Sequence, residues 1–274
     1  MIKTIDLDNL FDKYIEDYVY ANIGKVNPEE IENKMPILYT EFGNKPLKEL
    51  NGKTPNTFYK DFSSAELINC LSDHIEKGVG VSDFLYEAIV EKEDAVEVIS
   101  KKLLEDSGEE FTAYLINLLS DIGKDIPYNR YLDFILYDYP ESISELATEN
   151  LGSSAEQVKE AILKEFRQTT ESKKEKLIDV LSNCKNDDRV FNLLVEEFVK
   201  HGENVPLYAS YLSKYGDERA LPFLMTAIEN EKISYADFEE LRFAIEALGG
   251  EYNKTRDFSK EKTYKKITGA RIKK

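Results

Sequence analysis

Residues Leu207–Tyr252 constrain the fold more than any other stretch of the 274-residue chain. They read LYASYLSKYGDERALPFLMTAIENEKISYADFEELRFAIEALGGEY. Tyr208, Tyr211 and Leu212 recur at helical spacing, Phe223, Leu224, Ala227 and Ile228 do so again, and Leu241, Ala244, Ile245 and Leu248 follow. Asp217 suits the N-cap of the middle helix, where its carboxylate meets free amides and the positive end of the helix dipole. Pro222 falls in the first turn, where a missing amide donor costs least. Gly249-Gly250 suits a left-handed C-cap. A helical hairpin of this kind cannot bury both apolar faces alone, so neighbouring hairpins must stack on it.

The rest of the chain supplies such neighbours. Helices with a Leu-Ser ending occur at Leu71-Ser72, Leu119-Ser120, Leu181-Ser182 and Leu212-Ser213. A polar link follows each, and then a second apolar run, beginning near Asp83, Tyr131, Arg189 and Ala220. Alternating strand patterns bounded by turn residues hardly occur. The fold class is all-α, with paired helices spaced irregularly around the period of about 40 residues expected of two-helix repeats.

The turn Tyr215-Gly216-Asp217-Glu218-Arg219, followed by Ala220-Leu221-Pro222, resembles the HEAT-like repeats also found in phycobilisome lyases, as does the segment from Leu241-Arg242 to Leu248-Gly249-Gly250. The resemblance is clearest over 207–252, extends to 171–204 and thins out over 63–123. It implies a right-handed α-solenoid of helical hairpins over 63–252, with residues 1–62 as an N-terminal helical cap and 253–274 as a basic, flexible tail. No residues for bilin chemistry accompany it.

Within the cap, residues 1–23 form an amphipathic helix stopped by Gly24, and a second helix starts with Asn27 as N-cap and Pro28 at the first position. Thr54-Pro55 opens a third. Gly52-Lys53-Thr54 imitates the end of a phosphate-binding loop, but the pattern needs glycine at position 47, which is Leu47.

Charge narrows the partners. The chain carries −17, yet residues 253–274 hold nine basic residues against Asp257 and Glu261, a net +7 that leaves −24 on residues 1–252. Such a body repels a phosphate backbone. Nucleic acid or an anionic membrane is left only the tail to touch. Cys70 and Cys184 lie apart in apolar helical runs, which excludes a disulfide framework and suits a reducing compartment. The first residues carry acids where a secretory leader needs an apolar run, and no window reaches the ~18 apolar residues of a membrane span. The expected location is the cytoplasm.

Catalytic signals are scarce. His74 and His201, the two histidines, each precede a glutamate by two positions (Glu76 and Glu203). HEAT-repeat di-iron hydroxylases use several adjacent His-Glu pairs, which two histidines so far apart cannot supply. Both histidines sit near helix ends, where a cation meets the dipole favourably. There is no GxSxG elbow. HEAT-like DNA glycosylases share the expected architecture but use a basic, Trp-bearing concave face, and this chain has no Trp. The sequence therefore gives no catalytic residue, cofactor or metal ligand.

Surface recognition remains. Pro127–Pro140 interleaves Tyr128, Tyr131, Tyr137 and Tyr139 with Arg130, Asp133 and Asp138. Tyrosine combines apolar area with a polar tip and is enriched at interfaces. The expected site is an acidic, Tyr-containing concave face built from Tyr131, Asp133, Tyr137, Asp138, Glu196 and Glu197, with Glu87 and Glu91 from another second helix. It would take a basic protein or peptide, making the chain an interaction module or scaffold. A HEAT-type enzyme acting on DNA or a small molecule, and a tether working through the tail, are the alternatives.

Overall fold

The computed structural model describes residues 2–24, 27–105, 107–123, 126–202 and 204–268. Every regular element among them is helical. The chain divides into two compact units, Met1–Arg130 and Tyr131–Lys274.

The first unit runs through α1 (Leu7–Ala21), α2 (Pro28–Gly43), α3 (Pro55–Phe58), α4 (Ser64–Glu76), α5 (Asp83–Val90), α6 (Ala95–Lys102) and α7 (Glu109–Ile122). Asn27 and Glu30 close a capping box at the start of α2, with Pro28 at its first position. Ser63 and Glu66 do the same for α4. Helix α4 packs against α5, α6 and α7, which buries Leu67, Ile68 and Leu71. Residues 1–62, expected as a cap, lie within the same compact unit as the helices up to Arg130. Phe11 of α1 meets Phe42 of α2 at 5.3 Å between ring centroids, and Tyr39 of α2 stacks on Phe84 of α5 at 5.1 Å. Those rings join the expected cap to the helices that follow it.

The Gly52-Lys53 turn is closed on itself. The Gly52 amide donates to the Leu47 carbonyl and the Lys53 amide to that of Leu50. Lys53 Nζ pairs with Asp61 at 2.7 Å. These amides and this ammonium are spent on the turn rather than on a phosphate.

Helix α8 (Tyr128–Leu136) crosses the division between the units. The second unit continues with α9 (Glu141–Leu151), α10 (Ala155–Glu165), α11 (Glu171–Leu181), α12 (Asp188–Lys200), α13 (Val205–Tyr215), α14 (Leu221–Ile228), α15 (Tyr235–Ala247) and α16 (Lys262–Thr268). Helix α9 packs on α11, α11 on α13, and α13 on α15, while α10, α12 and α14 pack on α11, α13 and α15 respectively. The alternate helices thus form one row. The ties along that row keep one register: Asp138–Lys173, Glu141–Lys176 and Asp179–Lys214 are each 35 residues apart.

The links between helices repeat too. Asp187 and Asp217 each accept a hydrogen bond from the amide two residues on, and each holds the arginine there, Arg189 or Arg219. Each arginine also reaches an acid on an earlier helix, Arg189 to Glu160 of α10 at 2.5 Å and Arg219 to Asp188 of α12 at 2.8 Å. Arg219 lies over the Phe191 ring at 4.4 Å. Asp217, expected to cap α14, instead caps the 3₁₀ turn Glu218–Ala220 that leads into it, and Ala220 holds the N-cap of α14 itself.

The basic stretch after 252 does not behave as a solvated tail over its described part. Phe258 contacts Tyr235 and Phe238 of α15, and Tyr264 of α16 contacts Tyr235 edge-on at 4.8 Å. The Arg256 guanidinium donates to the carbonyls of Ile228 and Asn230, satisfying the C-terminal end of α14. Aromatic residues and one cation cap thus decide the path, which net charge alone does not reveal. Arg271, Lys273 and Lys274 lie outside the described residues.

Candidate functional site

The acids of the second unit fall into two stripes. Glu141, Glu145 and Glu149 lie four residues apart on α9, and Glu171, Glu175 and Asp179 do so on α11. Four residues advance about 6 Å along a helix axis and return to the same face. The 35-residue ties show α9 and α11 running in the same direction, so the stripes lie side by side. Like charges at that spacing cost a helix roughly 0.2–0.5 kcal/mol per pair. Local stability therefore does not account for the pattern.

A cavity of about 400 Å³ opens where the stripes meet α13, lined by Glu141, Glu145, Thr148, Glu149, Ser172, Glu175, Lys176, Asp179 and Tyr211. Two of its acids are neutralised internally, since Lys176 pairs with Glu141 and Lys214 with Asp179, the latter at 2.7 Å. Glu145, Glu149 and Glu175 are exposed and carry no cation among the described residues. Tyr211 sits at the inner wall, 7 % exposed, edge-on to Tyr208 at 5.8 Å. Burial, then the charges of Asp179 and Glu175, push its phenol above the ordinary range, so it keeps its proton at neutral pH.

The residues expected to form the partner site are distributed otherwise. Tyr131 is fully buried, with its hydroxyl lacking a hydrogen-bond partner, so it belongs to the core and not to a surface. Glu197 is also buried, and contacts Lys200 and His201. Asp133 is half-buried and Glu196 exposed. Tyr137 is exposed, and Asp138 reaches Lys173 one turn before the Lys176–Glu141 pair on α11. Asp138 therefore stands beside the groove, whose interior comes from α9, α11 and α13, and Tyr137 does not line it. The signal for that interior was the fourfold spacing of acids. Glu87 and Glu91 belong to the first unit, in a comparable run with Asp83, Asp83 and Glu87 on α5 and Glu91 at its C-cap.

Helices α11 and α12 also bring Glu171, Glu197 and His201 together, with one ligand-type atom of each within 4.8 Å of the others. His201 Nε2 lies 3.2 Å from Glu197 and 3.4 Å from Glu171, and its ring stacks on Tyr208 at 4.7 Å. Lys174 and Lys200 pair with Glu171 at 2.8 Å each, and Lys200 also reaches Glu197. Two ammonium groups already balance the two carboxylates, which makes the group an internal ion-pair network. Glu203, the partner suggested by spacing, lies outside the described residues. His74 is buried in the first unit, where Nδ1 is 2.7 Å from the Cys70 carbonyl and Nε2 3.2 Å from that of Ile5. Both thiols are buried, and burial pushes each up to about 11. No helix among the described residues is long and apolar enough to cross a membrane.

Compared with protein-family models, curated proteins and solved structures, the chain matches none.

Proposed function

We propose that the protein is an interaction module whose second unit is a short stack of HEAT-like hairpins, and whose acidic groove takes a basic segment of a protein partner. The single row α9–α11–α13–α15 and the recurring 35-residue ties support the stacked-hairpin reading. The observation that carries the binding reading is the contrast within the groove. Cations meet Glu141 and Asp179, while Glu145, Glu149 and Glu175 face solvent unneutralised. A facing row of Lys or Arg would remove that repulsion and be steered by it. Asp138, paired with Lys173, lies beside it.

A display library of Lys/Arg-rich peptides tests this with the full chain. Binders should lose at least tenfold in affinity against the triple variant Glu145→Gln/Glu149→Gln/Glu175→Gln, with its unfolding midpoint unchanged or raised. Equal affinity for both proteins would remove the groove from the reading.

A further inference from the structure

Besides the exposed acids, one further polar group lining the groove is left without a partner. Tyr211 is 93 % buried, yet its hydroxyl makes no hydrogen bond to any described residue. It lines the cavity beside Glu175 and Asp179, whose charges act on the phenol. The polar end of a side chain so deeply buried is ordinarily satisfied, and where the residue lines a cavity its partner is expected there.

The cavity has a definite chemistry. Three of its carboxylates are unpaired: Glu145 and Glu149 on one wall, Glu175 on the other. Within each stripe the acids recur about every 6 Å along the axis. Between them lie Tyr211, Thr148 and Lys176, the last with its ammonium held by Glu141. At about 400 Å³ the space falls within the range of small-ligand sites. A helix, about 10–12 Å across with its side chains, does not fit. The complement is a slim aliphatic chain carrying several ammonium groups.

We infer that this cavity is a site for a linear aliphatic triamine, whose ammonium groups meet Glu145, Glu149 and Glu175, with one donating to the Tyr211 hydroxyl oxygen. Three positive charges match three unpaired carboxylates. Each ammonium has three donors for separate acceptors. The inference uses the groove of the proposed function but does not depend on its protein partner.

Calorimetry of the full chain with spermidine, against the diamine putrescine and against Mg²⁺ at matched ionic strength, provides the test. Spermidine should bind saturably at one site per chain, at least tenfold tighter than putrescine. Tyr211→Phe keeps the ring and removes the hydroxyl, and should weaken spermidine three- to tenfold with an unchanged circular-dichroism melt. The double variant Glu145→Gln/Glu175→Gln should abolish saturable binding. Absence of saturable heat, or equal competition by Mg²⁺, would reduce the site to charge screening and overturn the inference. So would an unchanged affinity in Tyr211→Phe. Basic-peptide binding measured alongside separates the two readings. Peptide binding without spermidine binding defeats this inference alone. Spermidine binding without peptide binding defeats the peptide reading alone.

Discussion

Two adjacent glycines show how one dipeptide can serve two unrelated needs. Gly249 has φ +79°, a left-handed conformation, with open space where a Cβ would stand. Gly250 is not in that region, but a Cβ there would lie 2.7 Å from Leu221 Cδ2 and 2.9 Å from Ile245 Cγ2. The first glycine is required by conformation, the second by packing. Gly249→Ala should cost about 1 kcal/mol through left-handed strain. Gly250→Ala should cost about 1–3 kcal/mol, because α14 and α15 must separate to admit the methyl. Urea unfolding of both variants checks the order. Titration adds a second expectation at this scale. Lys174 first, then Lys200, hold Glu171 at about 2, below its ordinary range near 4.3. A carboxylate depressed in the folded state stabilises it above the unfolded value, and that contribution disappears as pH falls through the folded one. Between pH 4.5 and 2, Glu171→Gln should therefore lose less stability than the unaltered chain. Parallel acid unfolding curves would count against the Lys174–Glu171–Lys200 contact.

At the scale of the element, sequence pattern was enough for helices and not for what lies between them. Leu71, Leu119, Leu181 and Leu212, which mark the recurrent helix endings, are all buried. Asn27, Asp217 and Gly249 hold the terminal positions their chemistry suggests. Tyr131 was misplaced because tyrosine suits both core and interface. Its spacing to Phe134 and Ile135, all three buried, carried the better signal. The acidic stripes on α9 and α11 were legible as spacing, but which acids stay unpaired depends on lysines 35 residues away, and no local pattern reports that. The path after residue 252 was hidden for the same reason: Arg256 finds its carbonyl partners 26 and 28 residues earlier. Arg256→Ala leaves those two carbonyls without the guanidinium and should destabilise the chain by roughly 1–2 kcal/mol. Arg256→Lys, a point donor in place of a fork, should recover only part of that loss. Hydrogen exchange of α14 and α15 would locate the effect, and protection unchanged from the parent chain would rule the cap out as a stabilising contact.

For the whole molecule the governing quantity is charge, and two opposing terms decide how salt acts on it. A formal −17 disfavours compaction through repulsion summed over long distances. The ion pairs that link the helices act at contact, as in Arg189–Glu160 and Arg219–Asp188, and exposed pairs of this kind each contribute little. Between 0.01 M and 0.15 M salt the screening length falls from about 30 Å to about 8 Å, which removes distant repulsion before it weakens pairs in contact. Stability should therefore rise with salt over this range. The expected increase in melting temperature is roughly 2–4 °C, the shift produced by about 1 kcal/mol in a protein of this order. A flat or falling melting temperature would mean that the contact pairs outweigh the repulsion. Binding of a basic peptide should move the other way, weakening as the same salt is added, because its attraction to Glu145, Glu149 and Glu175 acts across solvent. Opposite signs for folding and binding in one salt series would trace both effects to the same surplus of unpaired acids.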